Sequence, residues 1–219
     1  MPKKRPRPVR QPKAVMHIYC EGEKTEPNYI NGYINSKHQG NRRLKIIRIE
    51  KTQKNTPIQL VEEALKQQKS RSIPEEDIFW VVYDRESNQK YSDDLHKKAY
   101  EKAGSRLKIA ISNVCFEIWI LLHFQEVTAP YMNYEDLYRN SQLCNHLKNI
   151  GFKKYEKSAA SLYPLLDKKV DDAKIRAEKM NDAAKNSSGI NDPKPYQLNP
   201  FTDLHKLLDA IDDFMNKNK

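Results

Sequence analysis

Apolar residues in this chain come in short runs separated by polar, turn-forming stretches, and the period of each run sorts it into strand or helix. Residues 14–20 form a run of strand character, broken by Glu21-Gly22-Glu23-Lys24-Thr25-Glu26-Pro27. Pro27 suits the first turn of a helix that Thr25 or Glu26 can cap, and Tyr29, Ile30, Tyr33 and Ile34 give that helix one apolar face. A second strand is expected over 44–49. Thr56-Pro57 is a cap followed by proline, and Ile58, Val61 and Leu65 lie on one face of the helix it opens. Residues 77–84, Asp-Ile-Phe-Trp-Val-Val-Tyr-Asp, are the pattern of a strand buried on both faces of a parallel sheet. A helix over 94–103 is ended by Gly104. A fourth strand over 107–111 leads into an apolar helix over 113–124, with Asn113 as its N-cap.

The alternation predicts an α/β fold, a Rossmann-like parallel sheet over 14–125 flanked by helices. Beyond Asn133 the pattern turns helical, over 134–147, 158–181 and 202–215, with Thr202 as the cap of the last helix. The stretch 186–200, rich in Asn, Ser, Gly and Pro, reads as a loop. The expected organisation is a basic arm over 1–13, an α/β core over 14–125 and a mainly helical region over 126–219 packed on that core. A chain of 219 residues can bury such a core without disulfides or a structural metal.

Charge adds a partner to this picture. The net charge is +10, and Lys3, Lys4, Arg5, Arg7, Arg10 and Lys13 supply six positive charges to an arm with no acid. Such an arm suits contact with the phosphates of nucleic acid, or else is a solubilising tail. The run Lys153-Lys154-Tyr155-Glu156-Lys157 mixes cations with an aromatic ring, so Lys154 is a further candidate contact. The longest apolar runs, 78–83 and 118–122, are too short to span a bilayer, and no signal-peptide pattern follows the basic N-terminus, so a cytoplasmic protein is expected. Cys20, Cys115 and Cys144 are scattered and read as reduced thiols, and no zinc spacing links them to His17, His123 or His146.

The candidate chemistry lies where strands end, because ligands of open parallel sheets sit at the carboxyl ends of the strands. The first strand ends at Glu21; the third ends at Asp84, with Glu86 two residues on. If those strands are neighbours, three carboxylates converge, and Glu26 can make a fourth. An all-oxygen set of this kind suits a hard ion, Mg²⁺ or Mn²⁺, rather than zinc. Glu117 sits in a very apolar segment and, if buried, needs a partner, either in the core or at the acidic edge. Lys24 lies in the loop beside Glu21 and can steady phosphate charge. Arg85 points away from its two acidic neighbours if the segment stays extended, and His123 reads as a packed, hydrogen-bonded histidine.

Four segments resemble motifs of RloB-like proteins: 15–29 around Cys20-Glu21-Gly22-Glu23-Lys24, Trp80-Val81-Val82-Tyr83-Asp84-Arg85-Glu86, 112–124 around Asn113-Val114-Cys115-Phe116-Glu117-Ile118-Trp119, and Asn199-Pro200-Phe201-Thr202-Asp203-Leu204-His205. That family is similar to Toprim domains. The resemblance implies that Glu21 is the Toprim glutamate, an acid or base and possible ligand, and that Asp84 and Glu86 stand where a Toprim Asp-x-Asp binds Mg²⁺. It places Glu26 near an additional acidic position of the nuclease subgroup. Glu86 departs from the second Asp by one methylene. The implied activity is that of a metal-dependent nuclease, an effector of anti-phage abortive infection associated with restriction loci; Glu21 takes its catalytic role from the resemblance, Lys24 and Glu117 theirs from their positions in the sequence. The alternative is a non-catalytic nucleic-acid-binding or regulatory subunit with a degenerate site. The implied partners are nucleic acid and an ABC or overcoming-lysogenization-defect-type ATPase, since the chain has no GxxxxGK[ST] motif of its own. A homo-oligomer is a further expectation.

Overall fold

The computed structural model describes residues 13–70, 73–152 and 161–218. It is an α/β structure around a five-stranded sheet. In chain order the elements are β1 (Met16–Cys20), α1 (Thr25–Lys37), α2 (Asn41–Leu44), β2 (Ile47–Glu50), α3 (Pro57–Gln68), β3 (Ile78–Asp84), α4 (Asp93–Ala103), β4 (Lys108–Asn113) and α5 (Glu117–Leu122). There follow α6 (Tyr134–Asn140), α7 (Leu143–Asn149), α8 (Leu162–Leu166), α9 (Val170–Ser187), β5 (Phe201–Thr202) and α10 (Leu204–Lys217).

The sheet order is β2-β1-β3-β4-β5. The first four strands are parallel, and β5 runs antiparallel to β4, pairing Thr202 with Ser112 and Phe201 with Asn113. Side chains alternate between the faces, as the two-residue period of a strand requires. Met16, Ile18 and Cys20 of β1 and Trp80 and Val82 of β3 face one apolar layer, built with α1, α5, α9 and α10. Tyr19, Phe79, Val81 and Tyr83 face the other, built with α3 and α4. The C-terminal helices therefore complete one of the two layers that bury the sheet. Among the described residues no helix is long and apolar enough to cross a membrane.

Local chemistry sets the element ends and moves several from where the sequence pattern put them. Thr56 Oγ1 accepts from Gln59 N, and Ser92 Oγ accepts from Leu95 N, both as N-caps. Leu44 is in α2 rather than β2, because the Asn41 side chain takes the amides of Ile46 and Ile47 at 3.0 Å and clasps the helix to the strand. Asn113 is not a helix cap. It is the last residue of β4, with Nδ2 donating to Leu198 O at 2.6 Å, and α5 starts only at Glu117. Neither Thr25 nor Glu26 caps α1; Lys24 holds that position without a side-chain bond, and Glu26 is turned inward. The helix expected over 134–147 is two, broken where Ser141 Oγ accepts from Leu143 N. The one expected over 158–181 starts, among the described residues, as α8 and continues through a 3₁₀ turn into α9. Thr202 belongs to β5, bonded to Ser112 Oγ at 2.9 Å, and Asp203 holds the N-cap position of α10.

Candidate active site at the β1–β3 crevice

The order β2-β1-β3 means that the chain leaves β1 toward one side for β2 and reaches β3 on the other. In open α/β sheets that reversal opens a crevice at the carboxyl ends of the two central strands. Here β1 and β3 are hydrogen-bonded neighbours, with Cys20 opposite Val82. Glu21 extends the ladder by one bond, its N–H donating to Val82 O at 2.9 Å, and then the chain turns away.

The crevice is a cavity of about 230 Å³ lined by Glu21, Gly22, Thr25, Glu26, Asp84, Glu86, Lys90, Phe116 and Glu117. The structure thus brings five candidate acids to one place: two from the end of β1 and the start of α1, two from the end of β3, and one from the first turn of α5. Glu26 and Glu117 are buried, at 6% and 1% exposure. Gly22 makes room for Glu26, because a Cβ there would overlap its carboxylate. Glu86 reaches the same cavity as Asp84 through a left-handed backbone, φ 61°, held by its N–H to Val114 O at 2.9 Å.

Electrostatics divide these acids. Glu21 Oε2 accepts the Asp84 N–H at 3.0 Å, and Tyr91 OH lies 3.4 Å from Oε1 while donating to Asn55 O at 2.9 Å. Burial pushes the Glu21 carboxyl up to about 7, against that backbone bond and the charge of Lys90. Asp84 is held well above the usual carboxylate range, first by burial and then by the charges of Glu26, Glu117, Glu21 and Glu86. Lys90 Nζ is bound to Glu86 at 2.7 Å.

The donor chemistry, five carboxylates with no sulfur or imidazole, fits a hard divalent cation. As the side chains stand, no three His, Cys, Asp or Glu residues among the described ones are grouped to share one ion. Glu21, Glu26, Asp84 and Glu86 are the residues that could hold one after side-chain adjustment.

The family model described as RloB-like protein matches residues 16–211. The chain belongs to the RloB-like family. The match takes in all five acids of the crevice. No curated protein and no solved structure matches the chain.

The remaining candidates of this RloB-like chain fall elsewhere. Lys24 is exposed at the start of α1, next to the crevice but outside its lining. Lys13 precedes β1, at the opposite end of that strand from Glu21, and its Nζ donates to Asn218 O at 2.8 Å. Lys3, Lys4, Arg5, Arg7, Arg10 and Lys154 lie outside the described residues. His123 is packed, bonded to Trp119 O at 2.9 Å and to Tyr29 OH at 2.8 Å, and burial lowers its imidazole to about 4.

Two residues that matter to the crevice, Lys90 and Tyr91, escaped sequence reading, and the arginine expected to point away from its acidic neighbours organises their loop. Arg85 is buried and points away from the acids. It donates to Tyr196 O at 3.1 Å, Tyr91 O at 3.0 Å and Asp93 at 2.5 Å, and also reaches Asn88. This folds residues 86–93 back so that Lys90 and Tyr91 meet the acids. The only local signal was an arginine embedded between two acids after a buried strand.

Proposed function

We propose that this chain is a Toprim-type, divalent-metal-dependent phosphodiesterase acting on nucleic acid. The observation that carries the reading is the convergence of five carboxylates, Glu21, Glu26, Asp84, Glu86 and Glu117, on one crevice. Two like charges about 4 Å apart repel by roughly 4 kcal/mol at an effective dielectric near 20, so such a site calls for protonation or a cation. Asp84, Glu21, Glu86 and Glu26 would hold Mg²⁺ or Mn²⁺, which supplies a polarised phosphoryl oxygen and a more acidic water.

The protein's own groups account for the rest. Glu21, whose carboxylate lies in the crevice and accepts the Asp84 N–H, is placed to take the proton of an attacking water. Lys90 at the lining and Lys24 beside it offset charge on the phosphate. Glu117, buried behind Asp84, raises that carboxyl's affinity for a cation or proton through its own charge. Arg85 fixes the loop that carries Glu86 and Lys90. The wider role, a cytoplasmic abortive-infection effector working with a nucleotide-hydrolysing ATPase, is supported by the family resemblance and the lack of a nucleotide-binding motif in this chain.

The test is incubation of the purified protein with DNA and RNA in Mg²⁺ or Mn²⁺, beside Asp84→Ala and Glu21→Ala. The expected result is cleavage that chelation abolishes and that each substitution lowers by about 100-fold or more. Equal cleavage by all three preparations would assign the activity to something other than this crevice. No cleavage, with the ATPase present or absent, would favour the non-catalytic nucleic-acid-binding subunit.

A further inference from the structure

The acidic crevice is the middle member of a row. On its β2 side a cavity of about 700 Å³ opens over the ends of β1 and β2, with Asn28, Asn31, Lys51 and Gln53 in its wall. On its β4 side a cavity of about 500 Å³ opens over the ends of β3 and β4, with Gln89, Asn113 and Met132 in its wall. Gly22 is common to the first cavity and the crevice, and Glu86 is common to the crevice and the third. The strand order β2-β1-β3-β4 fixes the order of the three along the carboxyl edge of the sheet.

The flanks differ from the centre in chemistry. The centre is dominated by carboxylates, whereas the β4 flank is rich in neutral amides and the β2 flank mixes Asn28, Asn31 and Gln53 with Glu23, Glu50 and Lys51. On the β4 side several of the amides are held in place by backbone. Asn113 Nδ2 is fixed on Leu198 O at 2.6 Å, and Asn199 bonds both the carbonyl and the N–H of Tyr131, at 2.8 and 3.4 Å. Next to Tyr131, Met132 is 76% exposed and offers an apolar surface. Fixed amide edges and a soft apolar contact suit flat, uncharged groups with donor and acceptor edges. Nucleobases are such groups once they are unstacked. A base-paired duplex presents its bases stacked and inward, and cavities of a few hundred Å³ admit single nucleotides rather than stacked pairs.

We infer that one single strand of nucleic acid runs the length of this row, with nucleotides in both flanks and the phosphodiester between them at the carboxylates. The inference rests on the proposed reading of the crevice and names its substrate: an internal bond of a single strand, not a chain end. Hydrolysis there adds water across one P–O bond. The water oxygen bonds to phosphorus, the ester oxygen leaves, and the water proton ends on that leaving oxygen, with no change in redox state.

Two measurements test it. The first is binding of a fluorescein-labelled 12-nucleotide strand with phosphorothioate linkages to the protein in Ca²⁺, an oxygen-ligand cation, with Gln53→Glu or Gln89→Glu added. Both glutamines are exposed, so their replacement leaves the fold alone. Each added charge should weaken binding by about threefold or more, and the two together should multiply. A duplex of the same length should bind more weakly than the strand. The second is cleavage by the unsubstituted protein of a covalently closed single-stranded circle beside its linear form; both should be cut. Loss of affinity from one flank only, equal binding of duplex, or trimming of the linear strand with the circle intact would overturn the through-running path. If neither form is cut while both flank substitutions weaken binding, the path stands and the phosphodiesterase reading falls.

Discussion

The two ends of the β1–β3 pair bury carboxylates in opposite ways. At the start of the strands, His17 is 1% exposed and sits between Glu50 Oε1 at 2.6 Å and Asp77 Oδ2 at 3.0 Å, with its ring stacked on Phe79. Asp77 also accepts the Val15 N–H at 2.8 Å. Burial pulls the His17 imidazole down, but the bonds and charges of Glu50 and Asp77 outweigh it and hold it above its ordinary value. Glu50 is lowered in turn, chiefly by its bond to His17. At the carboxyl end, Asp84 faces four other acids, Glu26, Glu117, Glu21 and Glu86. At one end carboxylates flank a buried imidazole and serve the fold; at the other several carboxylates crowd one crevice and raise one another's pKa, a state that makes sense where a cation or substrate is to be met.

Substitutions at the two ends should therefore change stability with opposite sign. The largest effect is expected from His17→Ala, which strands two carboxylates. Unfolding in denaturant should show a loss of about 3 kcal/mol or more. Asp84→Asn and Glu21→Gln should instead stabilise the metal-free protein at pH 8, because a group that is costly to ionise has been removed. Destabilisation by either would break the contrast.

The pH dependence separates the ends further. Glu21 is raised from 4.5 to about 7 in the fold, so the unfolded chain binds fewer protons between those values. Stability is thus lost as pH rises through that window, and Glu21→Gln should flatten the decline. His17 is also raised, from 6.5, so its contribution is complete below 6.5 and disappears as pH rises past its folded value. Melting profiles of the two variants should accordingly depart from the parent chain in different pH ranges. A smaller effect is expected of Gly22→Ala, which pushes Glu26 out of its seat; about 1 kcal/mol of stability should go, together with part of the affinity for Mn²⁺.

Much of this was legible in the sequence. The β-branched run 78–84 and the Glu-Gly break after residue 20 marked the two strands and their terminal acids, and Thr56-Pro57 and Gly104 bounded helices, whereas the Ser92 cap was not read. That β1 and β3 are neighbours is a choice of topology, and residues 16–20 and 78–84 do not encode it locally. β5 has two residues and exists only by pairing with β4, so no periodicity announces it. The helix expected from 113 lost its first turn because Asn113 continues β4 and is bonded to Leu198, 85 residues away. Lys90 and Tyr91 come to the crevice because Arg85 folds their loop, a long-range arrangement with no repeat to read.

On the proposed reading, the carboxyl end of β1 and β3 receives a divalent cation. Thermal melting at pH 7.5, with and without Mn²⁺, of the parent chain and of Asp84→Asn tests it most directly. The prediction is that Mn²⁺ stabilises the parent, by about 2.7 kcal/mol at a hundred times its Kd, and leaves Asp84→Asn, already more stable without metal, where it was. An unmoved parent, or the same upward shift in both proteins, would contradict it.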